Sequence, residues 1–280
     1  MSGLGKKVSL SPEEFINIVR EIIERAQKRN IILRVMGAVA IYIHSLDKRE
    51  SLRIYDVMKR FKDEENLFTD LDLIGYSRQR KEIIDYFEKE LKYKYDPYVK
   101  ALFGARRLVY YHPNDYFHID IFFDKLEFSH DIFFGDRPGR GRLELDFPTI
   151  SLADLVLEKL QIHEINRKDL IDLSVLFHGH ELCSEIGRVD RDCIDDEYIS
   201  DVLSKDWGFW YDATTNFNKL RYIVATELSQ KMPEYIDKIL KRIDLLNKKI
   251  DEKPKSKEWI KRSKIGTSKP WYREVEEIER

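Results

Sequence analysis

The chain has 280 residues, of which 42% are hydrophobic and 36% are charged. This apolar fraction is enough to build a core, which excludes global disorder, and the length suits one large domain or two modest ones. The formal net charge is only −2, so a molecule that binds polyanions over its whole surface is also excluded.

The sequence carries no pattern typical of export or of a membrane span. No window approaches the roughly 18 apolar residues that a membrane-spanning helix needs, and the N-terminal stretch MSGLGKKVSL lacks the apolar core of a signal peptide. Cys183 and Cys193 form neither a CxxC pair nor a cysteine–histidine zinc pattern. We therefore expect a soluble, cytoplasmic protein with reduced cysteines and no membrane partner.

The first half of the chain mixes helical and strand patterns. Residues 11–30 predict a helix that Ser11 caps, with Pro12 in the first position and Glu14 completing a capping box. The other predicted elements up to residue 150 are a buried strand (31–36), a short helix (38–45), a loop with one short helix near 55–61, a strand (68–75), a helix (78–91), two or three strands within 92–123 with a turn at 112–115, a Gly/Pro/Arg loop (136–142) and an edge strand (143–150).

From residue 151 onward the pattern is largely helical. Residues 151–180 predict two amphipathic helices with a break near Asn166, and a long helix is predicted at about 215–250. The predicted fold class is α+β: a small mixed sheet flanked by helices, followed by a mostly helical C-terminal domain. The predicted domains are 1–148, 149–252 and a basic, polar tail at 253–280.

Two carboxylates share one side of the predicted strand FTDLDLIG, residues 68–75. Because side chains on a strand alternate between faces, Asp70 and Asp72 point the same way and the intervening leucine points into the core. The strand in YFHIDIFF also carries a carboxylate, Asp120, on its polar face. For the Asp-x-Asp pair taken by itself, the alternative interpretation is an exposed strand face whose acids are solvated.

If the two acidic strands are neighbours, three anions converge and repel one another. A divalent cation would relieve this repulsion, and carboxylate oxygens suit Mg²⁺. Two Mg²⁺ ions roughly 3.5–4 Å apart would serve an in-line displacement at phosphorus. Upstream, Gly37 and Ala38 in MGAVA form a strand-to-helix turn whose backbone N–H groups favour phosphate, with tight packing as the alternative role of the glycine.

The order of these elements resembles the nucleotidyltransferase superfamily that includes DNA polymerase β. Within it, the segments MGAVAIYIH and FTDLD, with the later TISLADLVLEKLQIHEINRKDLIDLSVLF, resemble the AbiEii-type nucleotidyltransferases, which act as toxins in type IV toxin–antitoxin pairs. The resemblance covers about residues 31–178. It implies a nucleotidyltransferase fold, two Mg²⁺ ions and an NTP substrate.

The resemblance also implies a role for each residue that matches its motifs. Asp70 and Asp72 would hold both metal ions, and Asp120 would hold the catalytic ion and help to deprotonate the attacking hydroxyl. Gly37 and Ala38 would contact the triphosphate, and Thr69 would lie at the nucleotide. Lys159 would face the phosphates, and Asp169 would orient Lys159 or the nucleotide. Ala38 replaces the Gly or Ser of the family pattern, so backbone N–H groups alone would have to contact the phosphate there.

The residues themselves support part of this assignment. Lys159 lies within an apolar helical stripe, which is unusual unless its ammonium meets an anion or extends to water; given the upstream acids, we favour phosphate. Asp169 and Asp172 are spaced i, i+3 and share a helix face, where we expect Asp172 to be solvated. His178 and His180 are expected to lie in the loop at the C-terminal end of the helix.

The sequence indicates the acceptor of the nucleotide less clearly than it indicates the type of reaction. Residues 253–273 carry eight Lys or Arg and interleaved aromatics, which favours RNA, although the aromatics would equally suit docking on the helical domain. Several arginines, Arg107 among them, would extend a basic rim around the cleft. We therefore predict transfer of an NMP to RNA, with the tRNA 3′ end as acceptor and an antitoxin protein as partner. The alternatives are a small-molecule, aminoglycoside-like acceptor and a degenerate protein that only binds nucleic acid or a partner.

Overall fold

The computed structural model describes residues 10–60, 68, 70–104 and 106–274, without the side chains of residues 102 and 103. The helices are α1 (Pro12–Lys28), α2 (Gly37–His44), α3 (Arg49–Met58), α4 (Arg80–Asp85), α5 (Pro97–Phe103), α6 (Leu152–Leu160), α7 (Arg167–Gly179), α8 (Cys183–Ile186), α9 (Asp196–Leu203), α10 (Trp207–Ile223), α11 (Ile236–Glu252) and α12 (Lys257–Ser263). The strands are β1 (Leu33–Val35), β2 (Asp70–Gly75), β3 (Arg107–Tyr111), β4 (His118–Phe123), β5 (Lys125–Glu127) and β6 (Asp131–Phe133). Within these described ranges, no helix is both long and apolar enough to span a bilayer.

These elements group into two units that are each built from separate stretches of chain. The first comprises the described residues of 1–43, 61–125 and 134–150, and the second those of 44–60, 126–133 and 151–280. The first unit is mixed α and β, whereas the second is mainly helical with the short β5–β6 ribbon. The fold class is thus α+β.

The first unit is organised around a four-stranded mixed sheet in the order β1-β2-β4-β3. β1 and β3 lie at the edges and run antiparallel to their neighbours, while the central pair, β2 and β4, is parallel. Helix α1 packs against β1 and begins with the predicted capping box, in which Ser11 Oγ accepts from the Glu14 N–H at 3.2 Å and the Ser11 N–H donates to the Glu14 carboxylate at 2.9 Å.

Of the two or three strands predicted within residues 92–123, two are present as β3 and β4, whereas the edge strand predicted at 143–150 is absent from the described residues. Part of the aromatic stretch after residue 92 is helix α5, because the Asp96 side chain caps its N-terminus and Pro97 occupies the first position. The segment 143–150 forms only a single bridge, between Thr149 and Val35, rather than an edge strand. Pro148 has no N–H group, which limits the ladder that this segment can form.

The second unit confirms the predicted helix pair and corrects the helix after it. Ser151 caps α6, and Asn166 caps α7 at the predicted break. The single helix predicted at 215–250 is two helices, since α10 passes through a π-helical turn at Val224–Leu228 and ends before Pro233, and α11 begins at Ile236. Proline cannot donate within a helix and clashes with the preceding turn, so the chain breaks there.

The expectation of reduced cysteines is wrong for this structure, in which Cys183 and Cys193 form a disulfide. The intervening loop folds back on itself through backbone hydrogen bonds from Cys183 to Ile194 (2.9 Å) and from Ile194 to Glu181 (2.8 Å). These bonds bring the two Cα atoms to 5.1 Å, within the range that a disulfide spans. The spacing of the two cysteines along the sequence does not predict that they come this close.

Candidate active site

The three aspartates predicted to bind metal lie on one face of adjacent strands. In the parallel β2–β4 pair, Asp72 is directly opposite Asp120, and Asp70 is opposite His118. Residues that pair directly across neighbouring strands project to the same side of the sheet, so all four side chains share that side. The residue between the two strand acids, Leu71, is fully buried, as the alternation predicts. The two acidic strands are therefore neighbours, which we could only assume from the sequence.

The environments of these carboxylates differ sharply. The Asp120 side chain is 2% exposed and that of Asp70 is 45% exposed. His118 lies between them, with its Nε2 atom 3.8 Å from Asp70 Oδ2 and 3.7 Å from Asp120 Oδ2. The site thus combines one buried carboxylate with one that is open to solvent, and the histidine lies within 4 Å of both.

The buried carboxylate has a two-point partner that we assigned to a basic rim from the sequence. Arg107, on β3, donates from Nε to Asp120 Oδ1 at 2.8 Å, and its Nη2 lies 2.8 Å from Oδ2. Val109 pairs directly with Asp120 across β3 and β4, so Arg107, two residues away on the same strand, projects to the same face. The alternating pattern of RLVYY predicts which residues share a face with Arg107, but it does not predict which strand β3 pairs with.

The carboxylates on this face are of the donor type that binds a divalent cation, although the side chains do not surround a common point. Carboxylate oxygens are the donors that Mg²⁺ prefers. Among the residues that the structure describes, no group of three or more His, Cys, Asp or Glu side chains is arranged to hold a metal ion. Both oxygens of Asp120 are in contact with Arg107 instead. The role of the three aspartates as metal ligands remains a prediction.

The predicted strand-to-helix turn adjoins the Asp-x-Asp strand. Gly37 is separated from β1 by Met36 alone, opens α2 and has φ of 67°, a conformation that favours glycine. The Met36 N–H donates to the Asp72 carbonyl at 2.9 Å, which ties the turn to β2. Ala38 is partly exposed and Gly37 is buried. Phosphate binding at this turn stays a prediction, and Thr69 lies outside the described residues.

Lys159 and Asp169 belong to the second unit, where they form part of a buried charge cluster. Lys159 Nζ donates to Asp169 Oδ1 at 2.7 Å and lies 3.1 Å from Asp172 Oδ2. Arg60 donates to both oxygens of Asp172, at 2.6 and 3.0 Å. We call Arg60, Lys159, Asp169 and Asp172 the charge cluster. Asp169 thus contacts Lys159, one of the two partners that the resemblance implies for it, and the roles of both residues at a nucleotide stay predictions.

The prediction of a solvated Asp172 is wrong, because its side chain is 0% exposed. Helix α7 packs against α3, α6, α10 and α11, and polar residues that include Asp169, Asp172 and Ser174 are buried along it. Burial would raise the pKa of Asp172, but Arg60 and Lys159 outweigh this effect and lower it. Burial would likewise lower the pKa of Lys159, but Asp169 and Asp172 raise it. Asp172 and Lys159 are therefore both held in charged form.

The aromatic residues of the tail pack on the second unit. Trp271 Nε1 donates to Asp212 Oδ1 at 3.0 Å, and Tyr272 stacks on His163 with ring centroids 3.5 Å apart. Trp259 meets Trp210 edge to face, with ring centroids 5.1 Å apart. Docking thus accounts for these aromatics in the structure. The exposed basic residues of the tail include Lys257, Lys261, Lys264 and Lys269.

His178 lies in the last turn of α7, so its predicted place in the loop is wrong, whereas His180 directly follows the helix. His178 Nδ1 is 2.8 Å from Ser51 Oγ, and its ring stacks on Tyr235. His180 is 2% exposed, with Nδ1 3.3 Å from the Asp192 carbonyl. Burial lowers the pKa of His178 to about 4 and that of His180 to about 3, the nearby His44 adding to the shift of His180.

These lowered pKa values predict acid sensitivity. The unfolded chain takes up the His180 proton below about pH 6.5, whereas the folded chain resists it down to about pH 3. Stability from His180 is therefore complete above pH 6.5 and is lost as the pH falls, by about 2–3 kcal/mol between pH 6.5 and 4.5. Urea denaturation at pH 7 and pH 4.5 should show a smaller loss for His180→Gln than for the wild type. Equal losses would contradict the assignment.

Comparisons with known proteins add little to this geometry. No family model and no curated protein matches the chain. Among solved structures, it is similar to the solution structure of the antibiotic-resistance factor ANT(2'')-Ia, with 12% identity, a TM-score of 0.34, and coverage of 63% of this chain and 86% of that one. A likeness at this level establishes neither a family nor an activity.

Proposed function

We propose that the protein is a metal-dependent nucleotidyltransferase that moves an NMP from an NTP to an acceptor hydroxyl. The observation that carries the proposal is the in-register pairing of Asp72 with Asp120. It adds a third carboxylate, 2% exposed, to the face that already bears Asp70 and Asp72. Three carboxylates on one face of the sheet supply the oxygen donors that Mg²⁺ prefers, while the burial of Asp120 is itself balanced by Arg107.

The chain's own residues would divide the work of the reaction. Asp70 and Asp72 would hold two Mg²⁺ ions, and Asp120 would hold the catalytic ion and receive the proton of the attacking hydroxyl. When bound, Mg²⁺ would polarise the α-phosphate and neutralise the pyrophosphate that leaves. Backbone N–H groups at Gly37 and Ala38 would cradle the triphosphate. Lys159, Asp169 and Thr69 keep the roles at the nucleotide that the family resemblance implies.

We propose RNA, and specifically a tRNA 3′ end, as the acceptor. The support is the set of exposed lysines in the tail, since cationic side chains bind the phosphate backbone without sequence preference. On this proposal the protein acts as the toxin of a toxin–antitoxin pair and is neutralised by an antitoxin protein. An aminoglycoside-like small molecule as acceptor, and a non-catalytic binding protein, are the competing outcomes of the test.

The test is incubation with each α-³²P-labelled NTP, Mg²⁺ and total RNA, with a parallel series that contains aminoglycosides instead of RNA. We expect one NTP to label a band of tRNA size on a gel, and EDTA to abolish the label. Label confined to the aminoglycosides would overturn the RNA proposal and keep the reaction. If neither acceptor is labelled while calorimetry detects NTP binding, the protein is a binding module and the proposed reaction is wrong.

A further inference from the structure

The buried carboxylate at the candidate site already has a cationic partner from the protein itself. Arg107 contacts both oxygens of Asp120, each at 2.8 Å, in the two-point geometry that makes arginine–carboxylate pairs strong. The guanidinium also lies over the Phe122 ring, 5.3 Å from its centroid. The Arg107 side chain is 18% exposed, so the guanidinium has a route to solvent while Asp120 does not.

A metal ion that Asp120 coordinates must bind at least one of the two carboxylate oxygens, and both of these oxygens now contact Arg107. Retaining both contacts would also leave a guanidinium and a divalent cation at close range, where like charges repel strongly. We propose that Arg107 and the divalent cation are alternative partners of Asp120, so that Arg107 sets the cation affinity of the site. Arg107 is then a positioning residue, because its two contacts hold the buried carboxylate in place until the cation displaces it.

This inference rests on the proposed function for the identity of the cation, and its test separates the two. The Mn²⁺ affinity of the 280-residue chain is measured by electron paramagnetic resonance and by calorimetry, without nucleotide. We expect Arg107→Gln to bind Mn²⁺ about tenfold more tightly than the wild type, the scale on which residues around metal ligands change affinity. Arg107→Lys keeps the charge but loses the two-point contact, and it should lie between them.

The matched control is Arg25→Gln, which removes an arginine of the same unit whose ion-pair partners are Glu21 and Glu90. It should leave the Mn²⁺ affinity unchanged, whereas Asp120→Asn should abolish tight binding. Equal or weaker binding by Arg107→Gln would overturn the inference even if the wild type transfers nucleotides. Tighter binding in a protein that transfers no nucleotide would uphold the inference and overturn the proposed function. If Mn²⁺ binds none of these proteins, both are wrong.

A measurement on the wild type covers the case in which Arg107→Gln does not fold. The Arg107 Nε–H signal in a ¹⁵N spectrum, assigned by its loss in Arg107→Lys, is followed during titration with Mg²⁺. Displacement from Asp120 predicts a shift of this signal that saturates with cation occupancy, while the Arg25 signal stays in place. Saturation of the cation site with an unchanged Arg107 signal would refute the exchange of partners.

Discussion

The Asp70→Ala variant is expected to lose about 10²–10³-fold in the rate of NTP-dependent labelling while it retains the wild-type fold. Its carboxylate is 45% exposed, so truncation leaves no cavity in the core and should change stability by less than about 0.5 kcal/mol. The loss in rate follows because phosphoryl transfer depends largely on positioned charge, and removal of one positioned group at such a site costs about 10²–10³-fold. The measurement pairs initial rates of label transfer with a thermal melt of the same preparation.

The control for Asp70→Ala is Asp115→Ala in the same unit. Asp115 is also an exposed carboxylate, 71% accessible, and its partner is Lys94. It belongs to a turn and not to the acidic face of the sheet, so its removal should leave labelling unchanged. Full labelling by Asp70→Ala would refute the proposed reaction. A variant that loses labelling and also melts early would show instead that Asp70 is structural.

The Asp172→Ala variant is expected to lose about 3–5 kcal/mol of unfolding free energy. Truncation leaves Arg60 and Lys159, each 8% exposed, without the carboxylate that both of them contact. The two cations then lose the carboxylate that they share, and a buried charge that has lost its partner is among the costliest defects of this kind. Urea denaturation at pH 7, followed by circular dichroism, measures the change.

An exposed ion pair of the second unit provides the comparison for Asp172→Ala. Asp244 accepts from Arg221 at 2.8 Å and is 66% exposed. Solvent screens such a pair, so Asp244→Ala should cost less than about 1 kcal/mol. An Asp172→Ala protein whose stability stays within 1 kcal/mol of the wild type would mean that water reaches the charge cluster in solution.

Several features of the fold were predictable because they depend on residues a few positions apart. The caps by Ser11, Ser151 and Asn166 need only a short polar side chain before a helical pattern, and all three are present. The common face of Asp70 and Asp72 follows from the two-residue repeat of a strand. By contrast, the stretch after residue 92 alternates as a strand would, yet its Asp-Pro pair begins a helix, so a local start signal outweighed the periodicity.

The sequence by itself determined which side chains share a face of each element, because that depends only on backbone geometry within the element. Which faces meet was decided by tertiary structure. The register of β2 on β4 brought Asp120 beside Asp72, and the pairing of β3 brought Arg107 onto Asp120. The helices around α7 buried Asp172, and a folded loop joined Cys183 to Cys193. Each of these outcomes depends on partners from elsewhere in the chain, whose approach no local pattern encodes.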